Sequence, residues 1–202
     1  MRKLLPGILA MAAIVVASNI LVLHPLGAYL TWGALTYPMA FLITDLTNRL
    51  QGVAAARRVV LAGFVTGILC SLILGALSPL VTFRVALGSG LAFLVAQLLD
   101  VAVFNRLRAG VWWRAPLVST LVSSTVDTAI FFSVAFSAAL VVLEPSNDVS
   151  WATAPGPLLG LGPDAPFWVS LAIADWLMKL LLALVALLPF RLIIARGMAK
   201  VA

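Results

Sequence analysis

Charge is what this sequence has least of. Only 10% of its 202 residues are charged and 63% are hydrophobic. A soluble domain carries roughly 25% charged residues, so a water-soluble fold is excluded. One cysteine, Cys70, rules out an internal disulfide. One histidine, His24, sits beside Pro25 in a turn, and there is no H-E-x-x-H, so no metal site is implied. G-x-S-x-G is absent as well, so no enzyme class is indicated. Without a P-loop the chain cannot itself be an ATPase. The net charge of +6 would suggest nucleic acid in a soluble protein. Here no loop carries a basic stripe with interleaved aromatics, so nucleic acid is excluded as a partner, and no cofactor is implied.

What is present is apolar sequence of mean hydropathy +1.16. It divides into six stretches long enough to span a bilayer, at about 20 residues each. They cover 4–23, 29–46, 59–77, 81–104, 117–143 and 167–194. The first is longer than the 7–15 residues of a signal-peptide core and is followed by more spans, so it reads as a transmembrane helix. The fold class is therefore all-α: a single polytopic membrane domain over 1–202 whose partner is the lipid bilayer.

Basic residues set its orientation. Alternate segments hold Arg2 and Lys3; Arg49, Arg57 and Arg58; Arg106, Arg108 and Arg114; and Arg191, Arg196 and Lys200. These are eleven of the thirteen Lys and Arg. Basic loops stay in the cytoplasm, which predicts cytoplasmic N and C termini. The segment 47–58 reads as a polar loop. The external segment 144–166 has no Lys or Arg, is rich in Pro and Gly, and shows no helical or strand period. It reads as a flexible connector, with a lid as the alternative.

Five charges remain inside the spans: Asp45, Asp100, Asp127, Asp175 and Lys179. Each would cost about 2.5–3.5 kcal/mol at mid-bilayer. They are expected to face one another across a shared watered hollow, and such a hollow is a place to carry a polar solute. At 1.5 Å per residue, Asp127 lies about 15 Å and Lys179 about 18 Å into their spans, near the midplane. Asp175 and Lys179 share a helix face at i,i+4. Gln97 and Asp100 are i,i+3. Thr120, Ser123, Ser124, Asp127 and Thr128 form a polar stripe. Asp45 groups with Asn48 and Arg49 near the cytoplasmic interface. Gly63-x-x-x-Gly67 permits close helix approach, within the chain or in a homodimer. Trp112-Trp113 reads as part of an interfacial aromatic belt.

A longer pattern runs through these residues. It comprises Thr31-Trp32-Gly33, Tyr37-Pro38, Phe41-Leu42-x-Thr44-Asp45-Leu46, Gly52 and Ala56-Arg57-Arg58. It continues through Ala96-Gln97-Leu98-Leu99-Asp100-Val101-x-Val103-Phe104-Asn105-Arg106-Leu107-Arg108, Trp112-Trp113, Ser119-Thr120 and Asp127-Thr128. Ile130-Phe131-Phe132, Ala135-Phe136, Asp175, Lys179 and Leu187-x-Pro189 complete it. The pattern resembles the queuosine precursor transporter family, six-span bacterial vitamin uptake transporters. That resemblance implies uptake of 7-cyano-7-deazaguanine, or of 7-aminomethyl-7-deazaguanine. It also implies a six-helix bundle like the substrate-binding component of energy-coupling-factor vitamin importers.

Such a base offers N1–H and an exocyclic amine side by side, and one carboxylate can accept both. Asp127 or Asp100 is expected in that role, with Gln97 or Asn48 donating to the ring carbonyl and Lys179–Asp175 opposite. Asp45, Ser123 and Trp113 complete the candidate substrate-binding residues, an aromatic ring being suited to stack on the base. Protons are the candidate coupling ion; passive entry with metabolic trapping is equally consistent. A substrate-capture subunit serving a separate ATPase motor is the alternative, as is a carrier of another nucleobase-like vitamin.

Overall fold

The protein is described by a computed structural model over residues 3–199, with side chains described through 196. Arg2 and Lys200, counted above among the basic ends, lie outside the described residues. Helix α1 (Leu5–Leu21) begins on Pro6, which lacks the N–H that a first turn leaves unpaired. A two-residue hairpin, β1 (Pro25–Leu26) with β2 (Leu30–Thr31), and a one-turn helix α2 (Gly33–Thr36) lead into α3 (Met39–Gln51). Then come α4 (Val53–Leu77), α5 (Phe83–Leu107) and α6 (Arg114–Phe136). A 3₁₀ segment (Ala138–Leu143), α7 (Ser150–Thr153) and the strands β3 (Pro155–Pro157) and β4 (Asp164–Pro166) precede α8 (Phe167–Ala199).

Four helices, α4, α5, α6 and α8, are long and apolar enough to cross a membrane, while α1 is apolar but has 17 residues. Span 29–46 is not one helix. Pro38 has no N–H to donate, and the chain passes it on tight bonds: Ala40 N–H to Tyr37 O at 3.0 Å and Phe41 N–H to Pro38 O at 3.2 Å. The expected loop at 47–58 is also corrected. Helix runs to Gln51 and restarts at Val53, and the whole reversal is made at Gly52, at φ +87° and ψ 175°. That conformation is essentially confined to glycine. Its polar residues misled because Thr47 and Asn48 are buried between helices rather than hydrated.

The core is organised by close helix approaches. α5 and α6 pack along their length, α1 and α5 flank α4, and α3 lies against α4, α5 and α8. A methyl group on Gly63 would stand 2.6 Å from Met11 Cγ and 2.8 Å from Phe93 Cζ, and one on Gly67 would touch Val15. The Gly63-x-x-x-Gly67 face is thus used inside the chain, by α1 and α5. Large apolar side chains point outward instead, among them Leu61, Leu69, Leu72 and Leu77 on α4 and Leu181, Leu184, Leu188 and Leu192 on α8. This is the pattern of helices solvated by lipid.

The segment 144–166 is ordered by specific contacts, which corrects the expectation of a flexible connector. Glu144 accepts the N–H groups of Phe83 (3.2 Å) and Arg84 (2.9 Å), capping the first turn of α5, where a negative charge suits the helix dipole. Asn147 donates to Thr82 Oγ1 at 3.1 Å. β3 pairs antiparallel with β4 in the register Gly156 opposite Ala165. At the mouth of α7, Asp148 accepts the Ser150 N–H at 2.8 Å, and these bonds to Ser150 hold its carboxyl below the usual range. Arg84, fully buried, donates to the carbonyls of Val134 (2.9 Å) and Ser137 (2.6 Å) at the end of α6.

Candidate functional site: a buried polar seam

The polar residues singled out from sequence, Trp113 aside, gather along one seam between α3, α5, α6 and α8. The seam has two parts. The first is a clasp around Lys179, which is 3% exposed. Its ammonium donates to Asp127 Oδ2 (2.7 Å), Thr128 Oγ1 (2.9 Å) and Asp175 Oδ2 (2.5 Å). An ammonium has three donors, so all are taken. Thr128 Oγ1 in turn donates to Asp175 at 2.9 Å, and the Tyr37 hydroxyl donates to Asp127 Oδ1 at 2.8 Å. The ammonium also stands 5.5 Å from the centre of the Tyr37 ring. The i,i+4 pairing of Asp175 with Lys179 is as the spacing predicts. Asp127, expected opposite that pair, is instead its third member. The three Lys179 protons are taken, and each oxygen of Asp127 already accepts one hydrogen bond.

The second part lies one to two turns along the bundle, toward Gln51 at the end of α3, Leu107 at the end of α5 and Arg114 at the start of α6. Thr44 Oγ1 donates to Gln97 Oε1 at 2.5 Å, which leaves the Gln97 amide nitrogen without a partner. Asn48 Nδ2 donates one of its two protons to Val101 O at 3.1 Å, and Oδ1 has no partner. Asp45 and Asp100 lie against one another, with Ser119 beside both. Asp45 accepts from Ser119 (3.4 Å) and Thr120 (3.5 Å), long contacts that hold it loosely. Both oxygens of Asp100 and the hydroxyl of its neighbour Ser123 are buried without a well-aligned hydrogen bond, although Asp45, Ser119 and Ser123 all stand beside Asp100. Buried polar groups in native proteins are overwhelmingly paired, so this concentration of unpaired ones is the candidate place for a ligand. Asp45, placed near the interface from its position, is only 2% exposed.

Two sequence-level expectations need correcting. Trp113 is 42% exposed at the start of α6, away from the seam, because it precedes the helix whose inner face carries the polar stripe. Its neighbour Trp112 takes the packed position, 4.7 Å below the Arg191 guanidinium. The watered hollow is the second correction. The crevices that reach the seam are about 20 Å³, beside Tyr37, and about 10 Å³, beside Asp45. Each is of the order of one water, whereas ligand pockets run to about 300 Å³ or more. The carboxylates converge as expected, but the space between them is closed. Tyr37 and Thr44 were not among the candidates. The Tyr-Pro step that breaks span 29–46 was the available signal for Tyr37, and adjacency to Asp45 was that for Thr44.

A family model described as "Putative vitamin uptake transporter" matches residues 31–194. The chain is 35% identical over 197 residues to the "Queuosine precursor transporter" of Escherichia coli, a match covering 87% of this chain and 79% of that protein. It is 34% identical to the "Probable queuosine precursor transporter" of Haemophilus influenzae, over 79% of this chain and 66% of that one. For the protein of the same printed name in Bacillus subtilis the identity is 31%, over 80% of this chain and 70% of the other. No solved structure matches the chain.

Proposed function

This chain belongs to the vitamin uptake transporter family, and from that premise we propose that it carries a queuosine precursor, a 7-deazaguanine base, across the bacterial inner membrane. In this reading the chain has six spans: α1, the broken α2–α3, α4, α5, α6 and α8, with both ends cytoplasmic. A discontinuous span beside a midplane site is a recurring feature of transporters.

The observation that carries the substrate assignment is the set of unpaired atoms at Asp100 and Gln97. The hydrogen-bonding edge of a deazaguanine reads donor, donor, acceptor: exocyclic amine, N1–H and ring carbonyl. Asp100 offers two acceptor oxygens for the two donors, a bidentate charge-assisted pair. The Gln97 amide nitrogen offers the one donor the carbonyl needs. Asp100 suits this role better than Asp127, whose two oxygens already accept from Lys179 and Tyr37, and Gln97 better than Asn48, which already donates one proton to Val101. Phe41, which lines the crevice beside Asp45, replaces Trp113 as the aromatic face for stacking.

A site whose buried polar groups expect partners rejects a ligand that lacks them. Guanine-edged bases should therefore compete for uptake, whereas adenine, with the reversed pattern, should not. Asp100→Asn swaps one acceptor for a donor. It should reduce uptake of 7-cyano-7-deazaguanine by about 100-fold, the equivalent of losing roughly 3 kcal/mol of hydrogen bonding to a charged group. Undiminished uptake by that variant, or equal competition by adenine, would reject the assignment.

A further inference from the structure

We infer that the Asp45–Asp100 pair binds one small monovalent cation, a proton or Na⁺, that crosses the membrane with the substrate. The inference rests on the transport reading above and extends it to the energy source.

The pair is anomalous in its charge. Asp45 and Asp100 are 2% and 0% exposed and face each other where Thr44–Gln97 and Asn48–Val101 join α3 to α5 on either side of them. Two carboxylates in a dry interior need a positive charge between them or beside them. None is supplied by the protein among the described residues. The groups facing the pair can be named element by element. From α3 they are Thr44 and Asn48, and from α5 Gln97. From α6 they are the hydroxyls of Ser119, Thr120 and Ser123. The α8 wall of the adjoining crevice is apolar: Ala183, Ala186, Leu187 and Phe190. Lys179 is committed to Asp127 and Asp175, the two salt bridges of the described structure. Arg84 is committed to the terminal carbonyls of α6.

The ligand atoms suit a hard monovalent cation. They are all oxygen: two carboxylates and three hydroxyls, with no imidazole or thiolate among them. Ser123 Oγ, fully buried and without a partner beside Asp100, is independent of the acidic pair and points to a missing occupant. The 3.4 and 3.5 Å contacts of Ser119 and Thr120 to Asp45 are loose enough for those hydroxyls to turn their lone pairs toward a metal ion or to keep donating to a shared-proton pair. A crevice of the size of one water, between α3, α6 and α8, is lined by Asp45 and Thr120 and adjoins this point.

Coupling then follows from a shared side chain. Asp100 receives the two N–H groups of the base only as an ionised acceptor. A cation held on the Asp45 side cancels one of the two negative charges and leaves Asp100 ionised and free to accept. Base and cation therefore favour each other's binding, and reciprocally so.

The test uses the purified full-length chain in liposomes loaded with buffer, with 7-cyano-7-deazaguanine outside. An inward pH gradient and an inward Na⁺ gradient are imposed separately. Uptake is read as the ratio of accumulation with the gradient to accumulation without it, which cancels differences in overall rate. The wild type should show a ratio of at least 10 with one gradient, and that gradient names the cation. Asp45→Asn should bring the ratio to about 1. Because that variant could lose all uptake through misfolding, a second measurement is made on the wild type alone. Addition of substrate should drive the cation inward, read by a pH-sensitive dye outside or by radioactive sodium trapped inside. A ratio of 1 for the wild type with both gradients, an undiminished ratio for Asp45→Asn, or no substrate-driven cation movement would overturn the inference while leaving the transport reading in place. Absence of substrate exchange by the wild type without any gradient would instead overturn the transport reading, and the coupling inference with it.

Discussion

Replacing Lys179 with methionine removes one positive charge and three hydrogen bonds from the middle of the bundle. The geometry sets the size of the effect. Asp127 and Asp175 lose contacts of 2.7 and 2.5 Å and keep one neutral donor each, Tyr37 and Thr128. Breaking a buried pair by removing one partner typically costs about 3–5 kcal/mol, because the other charge remains buried. At roughly 2–4 °C per kcal/mol for a chain of this size, the thermal midpoint in detergent should fall by about 6–20 °C. The origin of that loss is checked by the triple variant Lys179→Met, Asp127→Asn, Asp175→Asn. Two neutral amides with Tyr37 and Thr128 as neighbours leave no bare charge, so the triple variant should recover at least half of the lost midpoint. Differential scanning fluorimetry of the purified variants provides the measurement. If the single variant melts within 2 °C of wild type, or the triple variant is less stable than the single one, the clasp is not what balances these carboxylates.

Gly63→Ala should lower the midpoint through overpacking worth about 1–3 kcal/mol, and adding Met11→Ala should relieve it, since Met11 Cγ is the atom a methyl would strike. Lack of relief would show that the α1–α4 approach is not limited there. Glu144→Ala removes both caps on the first turn of α5; external protease should then cut the 144–166 segment several times faster than in wild type, and an unchanged rate would mean that the strand pair alone holds it. In a Cys70→Ser background, Leu161→Cys should react with an impermeant maleimide from outside whole cells, and Gly110→Cys only after permeabilisation. Leu161 is 97% exposed in the external segment, so the opposite pattern would invert the proposed orientation.

How far the sequence could be read depends on the range of the interaction. The i,i+4 clasp of Asp175 and Lys179 is local, and spacing alone places it. The inward turn of all four aspartates follows from the cost of charge in lipid, which needs no knowledge of neighbours. The partner of each aspartate was not legible. Tyr37 meets Asp127 across 90 residues and Thr44 meets Gln97 across 53, and no periodicity records such contacts. Polarity misled at 47–58 because a membrane protein hides hydrophilic side chains in its core, so Asn48 signals the interior rather than a loop. The segment 144–166 misled differently. Its order comes from Glu144, Asn147 and a strand pair of three residues, too short to leave a period. The closed seam was invisible for a simpler reason: composition fixes which groups converge, not how much space remains between them.

That closure limits how the protein can work. In the proposed function a base reaches Asp100, yet the crevices beside Tyr37 and Asp45 are each of the order of one water. Some helix must move, and the packing narrows the choice. α5 and α6 are locked: a methyl on Gly88 would stand 3.2 Å from Phe131 O on the α6 backbone, and Arg84 ties the outer end of α6 to α5. α6 and α8 are joined by the Lys179 clasp. α3 is different. It has 13 residues, about 20 Å, and is bounded by the Pro38 turn and by Gly52 at φ +87°. It also forms part of the wall nearest each crevice, through Tyr37 just before its start and through Phe41 and Asp45 within it. Withdrawal of α3 uncovers Asp100 and Gln97 on α5 without disturbing the α5–α6 or α6–α8 contacts. The connections that must yield are the Tyr37 hydroxyl to Asp127 (2.8 Å), Thr44 to Gln97 (2.5 Å), Asn48 to Val101 O (3.1 Å), Arg49 to Arg108 O (2.6 Å) and the long contacts of Ser119 and Thr120 to Asp45, while the ion pairs of Lys179 stay whole on the helices left behind.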